Sequence, residues 1–193
     1  GMVNKNELPV TPLTQLQTMA FAIQELALYL DTHPEDKEAL ELYRSYQKLY
    51  EDGKRGPADA GKIAMWAWAL SRVMDYAETL PGVLDLKNAI VCGHSRLGKT
   101  ALLAAATDRR FAFVYANESG NSGAALARPR DGETIAQICT KFPFWFCKNY
   151  LKYMDNEAAM PFDQHYLLAC AAPAKLALGC ASGDTWAGIR AQQ

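Results

Sequence analysis

Residues 93–100 read Gly93-His94-Ser95-Arg96-Leu97-Gly98-Lys99-Thr100, and two motifs with different chemistry overlap in this stretch. The pattern G-x-x-x-x-G-K-[ST] is that of a phosphate-binding P-loop, in which Lys99 would contact the phosphates. The shorter stretch from Gly93 to Gly98 is similar to a nucleophile elbow, a turn between a strand and a helix that exposes a reactive serine, here Ser95. Both motifs need a buried strand before the turn and a helix after it, so either one predicts an α/β segment.

The residues around this stretch alternate between strand and helix patterns. Residues 89–92 form a short, continuous apolar run, which is typical of a buried parallel strand, and residues 100–107 continue as a helix. Strands that alternate with helices predict an α/β domain with a parallel sheet. The other predicted strands are 111–116 and 175–179, and the other predicted helices are 63–80, 133–139, 142–150 and 164–171.

Two helices are predicted in the first quarter of the chain. Apolar residues recur at steps of three and four between residues 16 and 30 and again between residues 39 and 50. Pro34 suits the start of the second helix, and Gly53 suits its end. Because only a short break separates the two helices, we expect an antiparallel helical hairpin. The predicted domains are therefore a hairpin at residues 1–56 and an α/β domain at residues 57–193.

The composition limits the classes of function. Half of the 193 residues are apolar, and the net charge at pH 7 is −1. This balance is typical of a globular domain and gives no electrostatic reason to expect a nucleic-acid or membrane partner. No apolar run reaches transmembrane length, and no signal peptide precedes the first predicted helix, which leaves the location unassigned. The five cysteines have no C-x-x-C spacing, so we expect no metal site.

Several separate motifs between residues 61 and 188 carry a family resemblance. They are Gly93-His94-Ser95-Arg96-Leu97-Gly98-Lys99, Asn117-Glu118-Ser119-Gly120 with Gly123-Ala124-Ala125, Trp145-Phe146, Pro161-Phe162-Asp163-Gln164-His165 and Asp184-Thr185-Trp186-Ala187. Together they resemble carbohydrate esterase family 15, the glucuronoyl esterases. That family's elbow reads G-x-S-R-x-G-K, so the resemblance favours an esterase over a P-loop. It implies a partial α/β-hydrolase fold and a carbohydrate ester as substrate, of the glucuronoyl or acetyl xylan esterase type.

The resemblance implies roles for five side chains. Ser95 matches the nucleophile and Glu118 the acid of the catalytic triad, which also fits the order of serine, acid and histidine in α/β-hydrolases. Arg96 matches an arginine that stabilises the oxyanion through its backbone N–H and its guanidinium. Lys99 and Trp186 match residues that contact the sugar. The implied reaction passes through an acyl-enzyme and uses no metal and no cofactor.

A serine esterase also needs a histidine as general base, and the chain has three of them, His33, His94 and His165. His94 adjoins Ser95, so its side chain should point elsewhere, and His165 alone has the correct chain order. The resemblance instead implies that His165 belongs to a different motif and that the family's catalytic histidine lies beyond Gln193. It is therefore an open question at this point whether the chain is active by itself.

The stretch Leu28-Tyr29-Leu30-Asp31-Thr32-His33-Pro34 carries a second resemblance. Around it, residues 14–50 resemble spore-coat proteins of the CotJB type, a family that implies coat assembly without known chemistry. The alternative hypothesis is therefore a non-enzymatic assembly protein that forms homo-oligomers through the hairpin or through exposed sheet edges. Nucleotide binding by the P-loop pattern is a third hypothesis.

Overall fold

The computed structural model describes residues 26, 29, 30, 33–52 and 55–192. The chain divides into two units, Gly1–Arg55 and Gly56–Gln193, which are described separately below. The first predicted helix falls almost entirely on residues outside this description, so the hairpin is still a prediction.

In the first unit, helix α1 spans Lys37–Asp52. It begins later than Pro34 because Asp36 caps it: the carboxylate Oδ1 of Asp36 accepts a hydrogen bond from the Ala39 N–H at 3.0 Å. The Tyr29 hydroxyl donates to the other carboxylate oxygen of Asp36 at 2.9 Å. These hydrogen bonds, that from Ala39 first, hold the pKa of Asp36 below its ordinary value.

The second unit contains a sheet, several α-helices and short 3-10 helices. None of the helices that the structure describes is both long and apolar enough to span a membrane. The α-helices are α2 (Lys62–Glu78), α3 (Arg96–Thr107), α4 (Ile135–Lys141) and α5 (His165–Cys170). The strands are β1 (Ile90–His94), β2 (Phe113–Asn117) and β3 (Lys175–Gly179), and the 3-10 helices are Leu86–Asn88, Lys148–Tyr153, Glu157–Ala159 and Ile189–Gln192.

The three strands form a parallel sheet in the order β1-β2-β3. The predicted α/β fold with a parallel sheet is therefore confirmed. In the register of the sheet, the last residues of the three strands lie side by side: His94 opposite Asn117, and Asn117 opposite Gly179. The residues that follow β1 and β2, Ser95 and Glu118, consequently leave the sheet at the same edge.

The helices of the second unit bury one face of the sheet. Because side chains alternate between the two faces of a strand, Val91, Val114 and Ala116 point to the same side, and all three are buried. They pack in one cluster with Leu102 of α3 and with residues of α2 and α5. On the opposite face, the middle-strand residue Tyr115 is exposed.

A second apolar cluster, in which Trp145 and Tyr150 pack with Ile135 and Ile138 of α4, explains why one predicted helix is absent. The sequence predicts a helix over residues 142–150, but the structure has a 3-10 helix only at Lys148–Tyr153. Phe142 ends α4 at φ −135° and ψ 65° because Pro143 follows it, and the residue before a proline is disfavoured in helical conformation. The Phe142 ring stacks on Trp145 at 3.8 Å between ring centroids, so this aromatic stretch packs as a turn.

One arginine joins the end of α3 to α2. The Arg110 guanidinium lies 2.6 Å from Asp108 Oδ2, 2.8 Å from Asp75 Oδ1 and 3.0 Å from Glu78 Oε2. It also donates to the Ser71 carbonyl oxygen at 3.1 Å. Asp108 is buried, and the hydrogen bonds from Arg110 lower the pKa of its carboxyl group to about 2.

We expect Arg110→Met to reduce stability in a pH-dependent way. The pKa of Asp108 is lowered on folding, so this pair stabilises the fold above about pH 4, and the contribution disappears as the pH falls towards 2. Urea unfolding followed by circular dichroism should show a loss of roughly 1–3 kcal/mol at pH 7 and a much smaller loss at pH 2.5. The matched control is Arg109→Met, at the exposed neighbouring position. An equal loss at both pH values would contradict this account.

Candidate active site

Ser95 occupies a strained turn between β1 and α3. Its backbone has φ 55° and ψ −121°, a conformation that costs a non-glycine residue about 1–3 kcal/mol. Two hydrogen bonds hold it: the Ser95 N–H donates to the Asn117 carbonyl oxygen at 2.9 Å, and the Ser95 carbonyl accepts from the Lys99 N–H at 3.2 Å. The hydroxyl-bearing side chain is exposed. This is the geometry of a nucleophile elbow.

Two glycines allow this turn to be tight. A Cβ on Gly93 would lie 2.1 Å from the Leu97 carbonyl oxygen, and a Cβ on Gly98 would lie 3.1 Å from the Ser119 Cβ. A side chain at position 98 would therefore crowd the end of β2, and Gly98 lets the helix pass close to it. Leu97 is 48% exposed and needs no small residue. The second glycine of the motif therefore lies at position 98 and not at position 97, because residue 98 is the one in the first helical turn that faces the end of β2.

The residues that would bind phosphate in a P-loop are engaged within the fold. The Lys99 side chain is only 4% exposed, and its ammonium group donates to the Ser119 carbonyl oxygen. The Thr100 hydroxyl donates to the Arg96 carbonyl oxygen at 3.0 Å, inside the helix. Both groups are thus committed to carbonyl oxygens of the fold and are not free to follow a phosphate, so the geometry does not favour nucleotide binding.

Glu118 lies beside Ser95 on the neighbouring strand. His94 and Asn117 are the last aligned pair of β1 and β2, and Ser95 and Glu118 are the residues that follow them. The backbones of Ser95 and Glu118 are therefore about 5 Å apart, which is the spacing between neighbouring strands. The Glu118 N–H donates to the Gly179 carbonyl oxygen at 2.8 Å, and its carboxylate Oε1 accepts from the Ala181 N–H. The other oxygen, Oε2, is buried without a hydrogen-bond partner among the described residues.

The histidines near the sheet make other contacts. His94 Nδ1 accepts a hydrogen bond from the Asn117 side-chain amide at 2.8 Å. His165 begins α5, where its ring lies 4.5 Å from that of Tyr166. Within residues 55–192, neither histidine hydrogen-bonds to Ser95. Over the described part of the chain, no group of three His, Cys, Asp or Glu side chains is placed to hold a metal ion.

Arg96 is the first residue of α3, directly after the serine. The N–H groups of a first helical turn have no partner within the helix, and the helix dipole makes this end partly positive. The Arg96 guanidinium is exposed and makes no ion pair with the residues that the structure describes. A negative charge that develops on an atom bound to Ser95 would therefore meet both N–H donors and a cation.

Trp186 is presented by a turn that Asp184 organises. The carboxylate Oδ1 of Asp184 accepts from the Trp186 N–H at 2.9 Å and from the Ala187 N–H at 3.0 Å. The Trp186 carbonyl accepts from the Glu133 N–H at 2.9 Å, which fixes the turn against the start of α4. The Trp186 side chain is 48% exposed, and the Lys141 ammonium lies 5.7 Å from its ring centroid.

Glu133 is a site residue that sequence reasoning did not identify. It is 5% exposed, and its charge interacts with Lys99: burial raises the pKa of Glu133, while Lys99 opposes that shift. Burial likewise lowers the pKa of Lys99 to about 8, against the effect of Glu133. In the sequence, Glu133 only precedes Thr134, the N-cap of α4, and this position carries no signal of an electrostatic interaction with Lys99.

The aspartate of the motif at residues 161–165 has a structural role. Asp163 is buried, and its carboxylate accepts hydrogen bonds from the N–H groups of Ala127 at 2.8 Å, Arg128 at 3.2 Å and Gln164 at 2.8 Å. These bonds join the loop after residues 123–125 to the start of α5. His165, in the same motif, is exposed.

Comparison with known proteins gives one consistent family. A family model described as "Glucuronyl esterase, fungi" matches residues 7–191. Carbohydrate esterase MZ0003, from an unknown prokaryotic organism, is 47% identical over 145 residues, which are 75% of this chain and 32% of that protein. The 4-O-methyl-glucuronoyl methylesterase 1 of Phanerochaete chrysosporium is 33% identical over 150 residues, 73% of this chain and 31% of that protein. This chain thus spans about a third of the length of these relatives.

The solved structures agree with the sequence relatives. A promiscuous CE15 esterase from a marine bacterial metagenome superimposes with a TM-score of 0.70 at 45% identity, over 76% of this chain and 37% of the other. The resemblance of residues 14–50 to spore-coat proteins gains no support from these comparisons, since the esterase model extends through that segment.

The buried Lys99 gives a testable dependence of stability on pH. Its folded pKa of about 8 lies below the ordinary value of 10.5, so between these values the unfolded chain binds more protons and stability rises with pH. Relative to Lys99→Met, the parent chain should gain about 2–3 kcal/mol between pH 7.5 and pH 10. Urea unfolding at the two pH values measures this difference. Lys87→Met, at an exposed position, should keep the parental slope. If the unfolding free energy of Lys99→Met rose with pH as steeply as that of the parent chain, the lowered pKa would not belong to Lys99.

Proposed function

This chain belongs to the glucuronoyl esterase family, carbohydrate esterase family 15, and on that basis we propose that it supplies the nucleophile and the acid of a serine esterase acting on uronic acid esters. The observation that carries this proposal is the strained turn at Ser95 with Glu118 at the end of the adjacent strand. The names of the relatives support a glucuronic acid ester as the substrate class.

In the proposed reaction, the Ser95 hydroxyl loses its proton to a base and attacks the ester carbonyl carbon. The tetrahedral oxyanion that results is stabilised by the Arg96 N–H, the Arg96 guanidinium and the positive end of α3. A single donor of this kind supplies about 3–4 kcal/mol of transition-state stabilisation. The alcohol leaves with a proton from the base, and water then hydrolyses the acyl group from Ser95.

Glu118 is proposed to hold and orient the base. One of its carboxylate oxygens is fixed by the Ala181 N–H, and the other, Oε2, is buried and free to accept a hydrogen bond from an imidazole N–H. His94 bonds to Asn117, and His165 lies beside Tyr166. We therefore assign the base to an imidazole other than those of His94 and His165.

Lys99, Glu133 and Trp186 are proposed to form the wall that binds the sugar. Lys99 lies one helical turn after Ser95, and Glu133 joins Lys99 to the Trp186 turn. An ammonium group, a carboxylate and an exposed indole face suit a ring that carries several hydroxyl groups. Because Lys99 is bonded to the Ser119 carbonyl, it contributes a fixed donor with little freedom to move.

Chemical rescue with imidazole tests this proposal. If Glu118 Oε2 holds an external imidazole beside Ser95, added imidazole should accelerate labelling of Ser95 by a fluorophosphonate probe, and hydrolysis of benzyl glucuronate, by about tenfold. Mass spectrometry of the labelled peptide identifies the residue. Glu118→Gln should lose most of the acceleration, and Ser95→Ala should not be labelled.

Glu157→Gln is the matched control for Glu118, because Glu157 also has a buried carboxylate oxygen without a partner but lies outside the site. It should respond to imidazole as the parent chain does. Label on a residue other than Ser95, or an acceleration that Glu118→Gln leaves intact, would contradict the proposal.

A further inference from the structure

Helix α4 carries a shallow, open depression of about 430 Å³ on its exposed face. Pairs of residues four apart lie above one another on a helix, so Ala136 with Thr140 and Gln137 with Lys141 make one continuous strip. Trp186 also lines the depression. Of these five residues, only Trp186 belongs to the proposed sugar-binding wall.

Lys141 is the charged group of this depression. Its ammonium lies between two rings, 5.4 Å from the centroid of Phe142 and 5.7 Å from that of Trp186. The side chain is exposed, and it makes no ion pair with any described residue. The aromatic rings do not neutralise its charge. The buried Glu133 carboxylate interacts with Lys141 electrostatically but makes no ion pair with it, so the exposed ammonium is available to an anion.

The polar rim of the depression consists of donors. Gln137 uses its side-chain oxygen to accept from the Thr134 N–H at 2.8 Å, within the capping box that starts α4. This contact leaves the amide NH2 group as a donor towards solvent. The Thr140 hydroxyl is exposed beside it. No carboxylate lines the depression, so its chemistry favours an anionic ligand with an apolar ring face.

Trp186 also links the depression to the proposed sugar-binding wall. Its carbonyl accepts from the Glu133 N–H at 2.9 Å, and Glu133 in turn interacts with Lys99, one turn after Ser95. The sugar-binding wall and the depression thus share Trp186, so a polysaccharide that fills both would extend along α4. The residue next to the ester-bearing sugar would lie on the side of the indole that faces α4.

We propose that the depression on α4 binds a second, unesterified uronic acid of the same polysaccharide, and that Lys141 selects for its free carboxylate. This inference rests on the proposed esterase function and adds a substrate class to it: acidic polysaccharides in which esterified and free uronic acids are neighbours. Lys141 contacts the carboxylate, Gln137 and Thr140 donate to ring hydroxyls, and Trp186 packs against the ring.

A pair of diuronate probes tests the assignment. One probe carries one methyl ester and one free carboxylate, and the other carries two methyl esters. Both are titrated into the full chain with Ser95→Ala, so that no ester is consumed, and binding is measured by calorimetry. The free carboxylate should improve affinity about tenfold. Adding Lys141→Ala should abolish this preference, and adding Lys141→Arg should retain it.

Lys152→Ala is the matched control, because Lys152 is also exposed and lies 5.2 Å from the ring centroid of Tyr153. It should keep the full preference. Equal affinity of both probes in the Ser95→Ala chain, absence of binding, or a preference that survives Lys141→Ala would each overturn the proposal. The esterase proposal is tested by a separate experiment: it fails if added imidazole does not accelerate labelling of Ser95 in the parent chain.

Discussion

Two hydrogen bonds that extend the sheet by one residue determine the rest of the site. The Ser95 N–H bonds to the Asn117 carbonyl, and the Glu118 N–H bonds to the Gly179 carbonyl, each just past the last aligned pair of strand residues. They bring Ser95 and Glu118, which are 23 positions apart in the sequence (118 − 95), to adjacent places at one edge of the sheet. The same register also brings Lys99, in the first turn of α3, up to the Ser119 carbonyl.

The core supports this edge because the turn is unfavourable by itself. Ser95 and Glu118 both have positive φ angles, 55° and 49°, which cost about 1–3 kcal/mol each in a non-glycine residue. Helix α3 compensates by packing Leu102 and its neighbours, fully buried, against Val91 and Val114 of the sheet. Burying one leucine side chain is worth about 1.5–3 kcal/mol, so a few such contacts suffice to hold the strained residues.

Much of this arrangement was predictable because it depends on local sequence. The strands at 89–92, 111–116 and 175–179 have apolar runs, and the parallel sheet follows from their alternation with helices. The helix expected at 142–150 was wrong because the aromatic side chains of this stretch pack as a turn in the second apolar cluster. The electrostatic interaction of Lys99 with Glu133 could not be predicted, since 34 residues (133 − 99) separate them and only the packing of the chain before α4 brings them near each other. The same holds for Lys141, whose aromatic partner Trp186 is reached through a long loop.

The positive φ angles at Ser95 and Glu118 also determine what glycine would do at these two positions. Glycine adopts such angles without steric cost, so glycine at either position would remove the backbone strain. The sequence has a hydroxyl and a carboxylate there, at two places where the backbone penalises a side chain. A glycine variant would therefore gain backbone stability at this edge of the sheet while losing the polar group that the edge presents.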